Sequence, residues 1–214
     1  MKKIISIAAI AVGLFLAIAF IEKKSSDEWI SLFDGKTLTN WKVGDHAGTF
    51  SVENGTIVVH GETAHLFYDG PVQQHHFKNF EFKADVMTMP GSNSGIYFHT
   101  TFQQGGWPAK GYEVQVNNSH TDWRRTGSLY GIEDVKETYV KDNEWYTESI
   151  KVEGKRVIIK VNDKIVVDYT EPANLKREGS DSLRIISNGT FALQGHDPKS
   201  IVYFKNLMVK VLPK

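Results

Sequence analysis

Residues Gly91 to Asn117 read GSNSGIYFHTTFQQGGWPAKGYEVQVN, and the alternation within this stretch decides the fold class. From Gly95 to His99 the apolar Ile96 and Phe98 alternate with Tyr97 and His99, and from Tyr112 to Asn117 the apolar Tyr112, Val114 and Val116 alternate with Glu113, Gln115 and Asn117. Successive side chains on a strand point to opposite faces, so each segment reads as a strand with one dry face and one polar face. Side by side, the two strands would gather one carboxylate, one carboxamide, an imidazole and a phenol over one sheet surface. Such a surface has what is needed to hold and deprotonate a polyhydroxylated ligand.

The same period continues outward from this pair. Strand-like segments separated by Gly, Asn, Asp and Pro run over Thr56 to His60, Phe80 to Met87, Gly95 to Thr101, Tyr112 to Val116, Trp145 to Val152, Arg156 to Val161, Ile165 to Tyr169, Leu183 to Ser187, Thr190 to Leu193 and Ile201 to Val211. In Phe80 to Val86, the apolar Phe80, Phe82, Ala84 and Val86 alternate with Glu81, Lys83 and Asp85, which is the pattern of a half-buried strand. Glu153-Gly154-Lys155 and Asn162-Asp163 read as the connections of successive hairpins. Many short strands with almost no helical period predict an all-β fold, two antiparallel sheets packed face to face as a jelly-roll sandwich. Trp41, Trp145, Phe80 and Phe82 are expected in its core.

At the front, MKKIISIAAIAVGLFLAIAF places Lys2 and Lys3 before an apolar run from Ile4 to Ile21. Residues 1–21 read as an export signal cleaved near Ala19 or, because the run is long, as an uncleaved N-terminal anchor. Residues 22–28 read as a polar linker and residues 29–214 as one domain. The 214 residues include no cysteine, which excludes a lipoprotein anchor, disulfides and thiolate metal sites. Export without disulfides points to a bacterial periplasm, or to a secreted or cell-surface protein. Twenty-five basic residues balance 25 acidic ones, and without a broad positive stripe no nucleic-acid partner is expected. Any membrane association is expected through the N-terminal segment alone.

Several motifs in order resemble the 3-keto-disaccharide hydrolase domain family, which has a concanavalin A-like lectin/glucanase type of jelly roll. They are LFDGKTLTNW at Leu32 to Trp41, KNFEFKADVM at Lys78 to Met87, GSNSGIYFHT at Gly91 to Thr100 and GYEVQV at Gly111 to Val116. TGSLYG at Thr126 to Gly131, Trp145, VNDKIVVDY at Val161 to Tyr169 and LQGHDPKSIVYFKNLMVK at Leu193 to Lys210 complete the series. The resemblance implies a secreted sugar-active enzyme, with members that cleave glycosides oxidised at carbon 3. Two positions depart from it: Asn117 and Asn118 stand where members often carry an aspartate, and His99 stands where they often show arginine.

Retaining glucanases of this shape need two carboxylates about 5 to 5.5 Å apart, whereas Glu113-Val114-Gln115-Val116-Asn117 offers one. An amide neither attacks as an anion nor passes a proton. The 3-keto sugar implied by the resemblance removes the need for a pair, because the ketone acidifies the hydrogen on carbon 2. One base can then start elimination of the group on carbon 1, with water adding afterwards. Glu113 is the candidate base or its electrostatic partner, and His99 and His196 are candidates for proton relay or oxyanion stabilisation. Asn93, Tyr97, Gln115 and Gln194 are candidates for holding sugar hydroxyls, Trp107 for stacking on a sugar face and Tyr130 for a further hydrogen bond.

Several of these residues also have a plainer reading. Glu113 could be a surface glutamate, His196 a turn residue before Asp197-Pro198, Trp107 a loop anchor and Tyr130 a plug of the sheet. A non-catalytic carbohydrate-binding module is the alternative from another class, and it would leave Glu113 open to solvent. A conventional two-carboxylate glycosidase would need a second acid facing Glu113, for which Asp85 and Asp122 are available. No cofactor is expected, and the adjacent His75 and His76 diverge on a strand, so no transition-metal site is read from them. Calcium on loop oxygens stays open, since such ligands leave a weak sequence trace.

Overall fold

The computed structural model describes residues 28–213, so the expected signal or anchor and nearly all of the linker lie outside the described residues. Among the described residues no helix is long and apolar enough to cross a membrane. In chain order the strands are β1 (Ile30–Ser31), β2 (Trp41–Val43), β3 (Phe50–Glu53), β4 (Thr56–Val59), β5 (Ala64–Tyr68), β6 (Phe80–Thr88) and β7 (Ser94–Thr100). They continue with β8 (Tyr112–Val116), β9 (Tyr146–Glu153), β10 (Arg156–Val161), β11 (Lys164–Thr170), β12 (Thr190–Gly195) and β13 (Val202–Val211). The larger sheet runs β11-β10-β9-β6-β13-β4-β3, with β1 also paired to β13, and the smaller runs β2-β5-β12-β7-β8. Every paired neighbour is antiparallel. This is the two-sheet sandwich that the period of two predicts.

The core lies between the sheets. Phe80, Phe82, Val86, Ile150 and Phe204 of the larger sheet pack with Ile96, Phe98, Val114 and Leu193 of the smaller one in a single buried cluster. Phe191 bridges the layers, with its ring centroid 4.7 Å from Phe82 and 4.9 Å from Phe80. Each such ring contributes about 1.5–3 kcal/mol through burial. Because the inward side of β7, β8 and β12 is spent on this core, their alternate residues must face outward, where the smaller sheet carries its polar surface.

Two sequence expectations fail here, and one strand was missed. Leu183 to Ser187 forms no strand; it belongs to the long connection between β11 and β12, where Leu183 is 51% exposed and its carbonyl accepts from Gly111 N. Trp145 is not in the core but 39% exposed just before β9, with the Lys205 ammonium 3.9 Å from its ring centroid. Conversely, β5 was not legible as a strand, because Ala64–Tyr68 is buried at every position and so shows no polar alternation.

Strand β7 also carries an irregularity that matters for the site. Against β12 its register shifts between Thr190 paired to Thr100 and Ala192 paired to Tyr97, so that β7 holds one extra residue. His99 occupies that bulge with φ of 55°. Gly111 and Gly189 abut the same backbone, and a Cβ on either would collide with the Phe98 to Thr100 main chain.

Candidate active site

The outer face of the smaller sheet forms the floor of a cavity of about 400 Å³. Glu113 and His196 line it, as do all six residues expected to bind a ligand. On β8, Glu113 projects from the outward register, and on the paired β7 the space beside it is left by Gly95, where a Cβ would run into the Glu113 carboxylate. Glu113 Oε2 accepts from Tyr97 Oη at 2.8 Å, and Oε1 accepts from Gln194 Nε2 at 2.8 Å. Gln194 Nε2 also lies 3.2 Å from Tyr97 Oη, closing a three-residue ring across β8, β7 and β12. Burial pushes the Glu113 carboxyl up to about 7, against the two donors that favour its charged form. A carboxylate poised near neutrality inside a cavity is suited to taking and returning a proton.

Next to it, Gln115 Nε2 donates to Asn93 Oδ1 at 3.0 Å. Gln115 Oε1 and Gln194 Oε1 are buried without a hydrogen-bond partner, which leaves two acceptors that ligand hydroxyls would satisfy. Trp107 is 51% exposed, and its ring stands 5.6 Å from both His196 and His65, so it is a wall of the cavity rather than a buried anchor. Tyr130 lies on the opposite loop, 3.4 Å from Asp122 Oδ2.

At the end of β12 the chain turns through His196 and Asp197. His196 Nδ1 is 2.8 Å from Asp197 Oδ2, so this nitrogen carries the proton and donates it to the carboxylate. Asp197 also accepts from Lys199 N at 2.8 Å and Ser200 Oγ at 2.7 Å, and these hydrogen bonds hold its carboxyl down at about 2 despite its partial burial. His120 packs against His196 with ring centroids 5.4 Å apart. The two histidines and Asp197 bring one nitrogen or oxygen each within 4.8 Å of one another, a grouping from distant segments that residue spacing could not reveal. His120 Nδ1 accepts from Asp122 N at 3.1 Å, and Asp197 holds three donors.

His99 does not belong to the site. The β7 bulge turns its ring toward the sandwich interior, where it packs edge-on against Phe80 at 5.6 Å. Its Nδ1 accepts from Ser187 N at 3.2 Å, which leaves Nε2–H to donate to Lys78 O at 2.9 Å. Burial lowers its pKa to about 4, so it is a neutral core histidine with both nitrogens satisfied. Asn117 also leaves the polar surface expected of it. Fully buried, it donates to Asp122 O and Arg124 O and accepts from His120 N, thereby folding the loop that presents His120 and Asp122.

Of the two acids available to face Glu113, Asp85 is on the other sheet, bonded to Thr147 and Asn206, whereas Asp122 lines the cavity and is tied to Arg124. Arg184 was not singled out from the sequence, yet it too lines the cavity, where it donates to Tyr130 O and pairs with Asp181 at 3.3 Å. Nothing in its own segment marks it, because that segment reads as a strand.

A family model described as a 3-keto-alpha-glucoside-1,2-lyase-like domain matches residues 28–210. A 3-keto-disaccharide hydrolase of Bacteroides thetaiotaomicron is 27% identical over 87% of this chain and 79% of its own length. A crystal structure of a provisionally assigned glycosyl hydrolase from Parabacteroides distasonis superposes with a TM-score of 0.71 at 23% identity, covering 90% of this chain and 97% of that one. A carbohydrate-binding module (CBM66) from Bacillus subtilis shares the fold at a TM-score of 0.58 and 15% identity, over 80% of this chain and 96% of the module. The two structural likenesses speak to the fold.

Proposed function

The chain belongs to the 3-keto-alpha-glucoside-1,2-lyase-like domain family, and from that premise we propose that it cleaves 3-keto glycosides by elimination followed by hydration, with Glu113 as the base. The ketone makes the hydrogen on carbon 2 acidic, and the Glu113 carboxylate removes it. Electrons of the resulting enolate expel the group on carbon 1 as its alcohol, leaving a 1,2-ene-3-one. Water then adds its oxygen to carbon 1 while carbon 2 regains a proton, and the sum is hydrolysis. Arg184 supplies positive charge in the same cavity against the developing enolate. The observation that carries this reading is the Glu113 carboxylate, enclosed with Tyr97 and Gln194 and raised to about 7.

Likeness to a carbohydrate-binding module favours a second reading, a non-catalytic sugar-binding domain. That reading gives no reason for a half-buried carboxylate whose pKa is raised toward neutrality. A conventional glycosidase pairing Glu113 with Asp122 would act on unoxidised sugars as well. We assign residues 1–21 to export and place the domain in the periplasm or at the cell surface, with carbohydrate as its partner. The test is a panel of 3-keto and unoxidised disaccharides scored for released monosaccharide. Turnover confined to the oxidised members is expected; turnover of both favours the paired carboxylates, and binding without turnover favours the module.

A further inference from the structure

We infer that His196, held by Asp197 and Ser200, handles the leaving-group proton: Nε2–H protonates the glycosidic oxygen as the bond to carbon 1 breaks, and the same nitrogen then takes a proton from the water that adds there. This rests on the elimination reading above and completes its proton balance. In the cleavage step Glu113 gains the proton of carbon 2, so it cannot also supply one to the departing oxygen. A second group must give a proton in the first half of the cycle and recover one in the second, while Glu113 returns its own to carbon 2. No outside reactant other than water is consumed.

The geometry picks His196 for this task. Gln194, which binds Glu113 Oε1 from β12, is two residues upstream of His196, so His196 enters the cavity from the end of the strand that holds Glu113 in place. Thr63 Oγ1 fixes the His196 carbonyl at 2.8 Å, and Asp197 takes Nδ1–H, so the ring cannot present Nδ1 to a ligand. Nε2 is the nitrogen left over. Ser200 is buried at 4% exposure, and its hydroxyl donates to Asp197 and accepts from Asn93 N at 2.9 Å. It thereby locks the dyad to a residue that itself lines the cavity. An ionised carboxylate behind the imidazole favours the imidazolium that must form and re-form during each turnover. Asp197 and Ser200 act through His196 and are positioning residues.

The test compares two leaving groups on the same 3-keto glucoside. A nitrophenolate departs without help from an acid, whereas a sugar alcohol does not. His196→Gln and Asp197→Asn should each lower turnover of the 3-keto disaccharide by about 10² or more, with a far smaller loss on the nitrophenyl compound. Exchange of the carbon-2 hydrogen with deuterated water, followed by NMR in the same samples, should persist, which also shows that the cavity is folded. An equal loss on both leaving groups, no loss on either, or loss of the exchange overturns the assignment of His196. If wild-type protein cleaves neither compound, or if Glu113→Gln leaves exchange intact, it is the elimination reading that fails.

Discussion

Replacing Glu113 by Gln separates the two things this side chain does. The amide keeps the shape and can still accept from Gln194 Nε2 while donating to Tyr97 Oη, so the three-residue ring survives. What is lost is the base, at a cost of about 10²–10⁴ in turnover. Stability should move the other way. The carboxyl titrates at about 7 in the fold against 4.5 unfolded, so the unfolded chain binds fewer protons and stability falls as pH rises from 4.5 toward 7. A displacement of this size corresponds to roughly 3 kcal/mol at neutral pH, an upper value because Glu113 keeps some contact with the cavity. The variant should therefore be inactive yet melt higher than wild type at pH 7, with the difference vanishing near pH 4. Monosaccharide release and thermal melts across pH measure both. Retained activity, or an inactive variant that melts lower at pH 7, would refute the reasoning.

Two further substitutions probe the surroundings. Gly95→Ala places a methyl where Glu113 Oε1 and Cγ sit, at a backbone conformation alanine tolerates, so turnover should fall at least about tenfold for a modest stability cost of ~1–3 kcal/mol; unchanged kinetics would show that Glu113 is free to move without consequence. His99→Ala should cost about 2–5 kcal/mol by stranding Lys78 O and Ser187 N and opening the core, while the folded fraction keeps wild-type turnover. The wild-type histidine, with its pKa lowered to about 4, should cost stability as pH falls from 6.5 toward 4, where only the unfolded chain gains the proton; urea melts of wild type and variant should converge over that window.

Much of this architecture was legible because antiparallel strands with one wet face write a period of two into the chain, as β6 and β8 do. The same rule misplaced His99, since a bulge adds one residue and reverses every face beyond it. No local pattern announces such an insertion. The floor of the site was readable from β7, β8 and β12, whose polar positions converge by register alone. Its rim was not. Asp122 and Arg184 ride on connections, and what brings them in is the hydrogen bonding of Asn117 and the pairing of Gly111 with Leu183, both tertiary facts. The Asp197 partner of His196 was visible in sequence as a turn signal, but only its three donors reveal a carboxylate built to stay charged.

Removal of the carbon-2 hydrogen by Glu113 is the step on which the mechanism stands. Cleavage rates of a 3-keto disaccharide carrying hydrogen or deuterium at carbon 2 measure it directly. Slower cleavage of the deuterated compound is predicted, with no turnover of the unoxidised parent. Equal rates for the two isotopologues, together with cleavage of the unoxidised sugar, would contradict it.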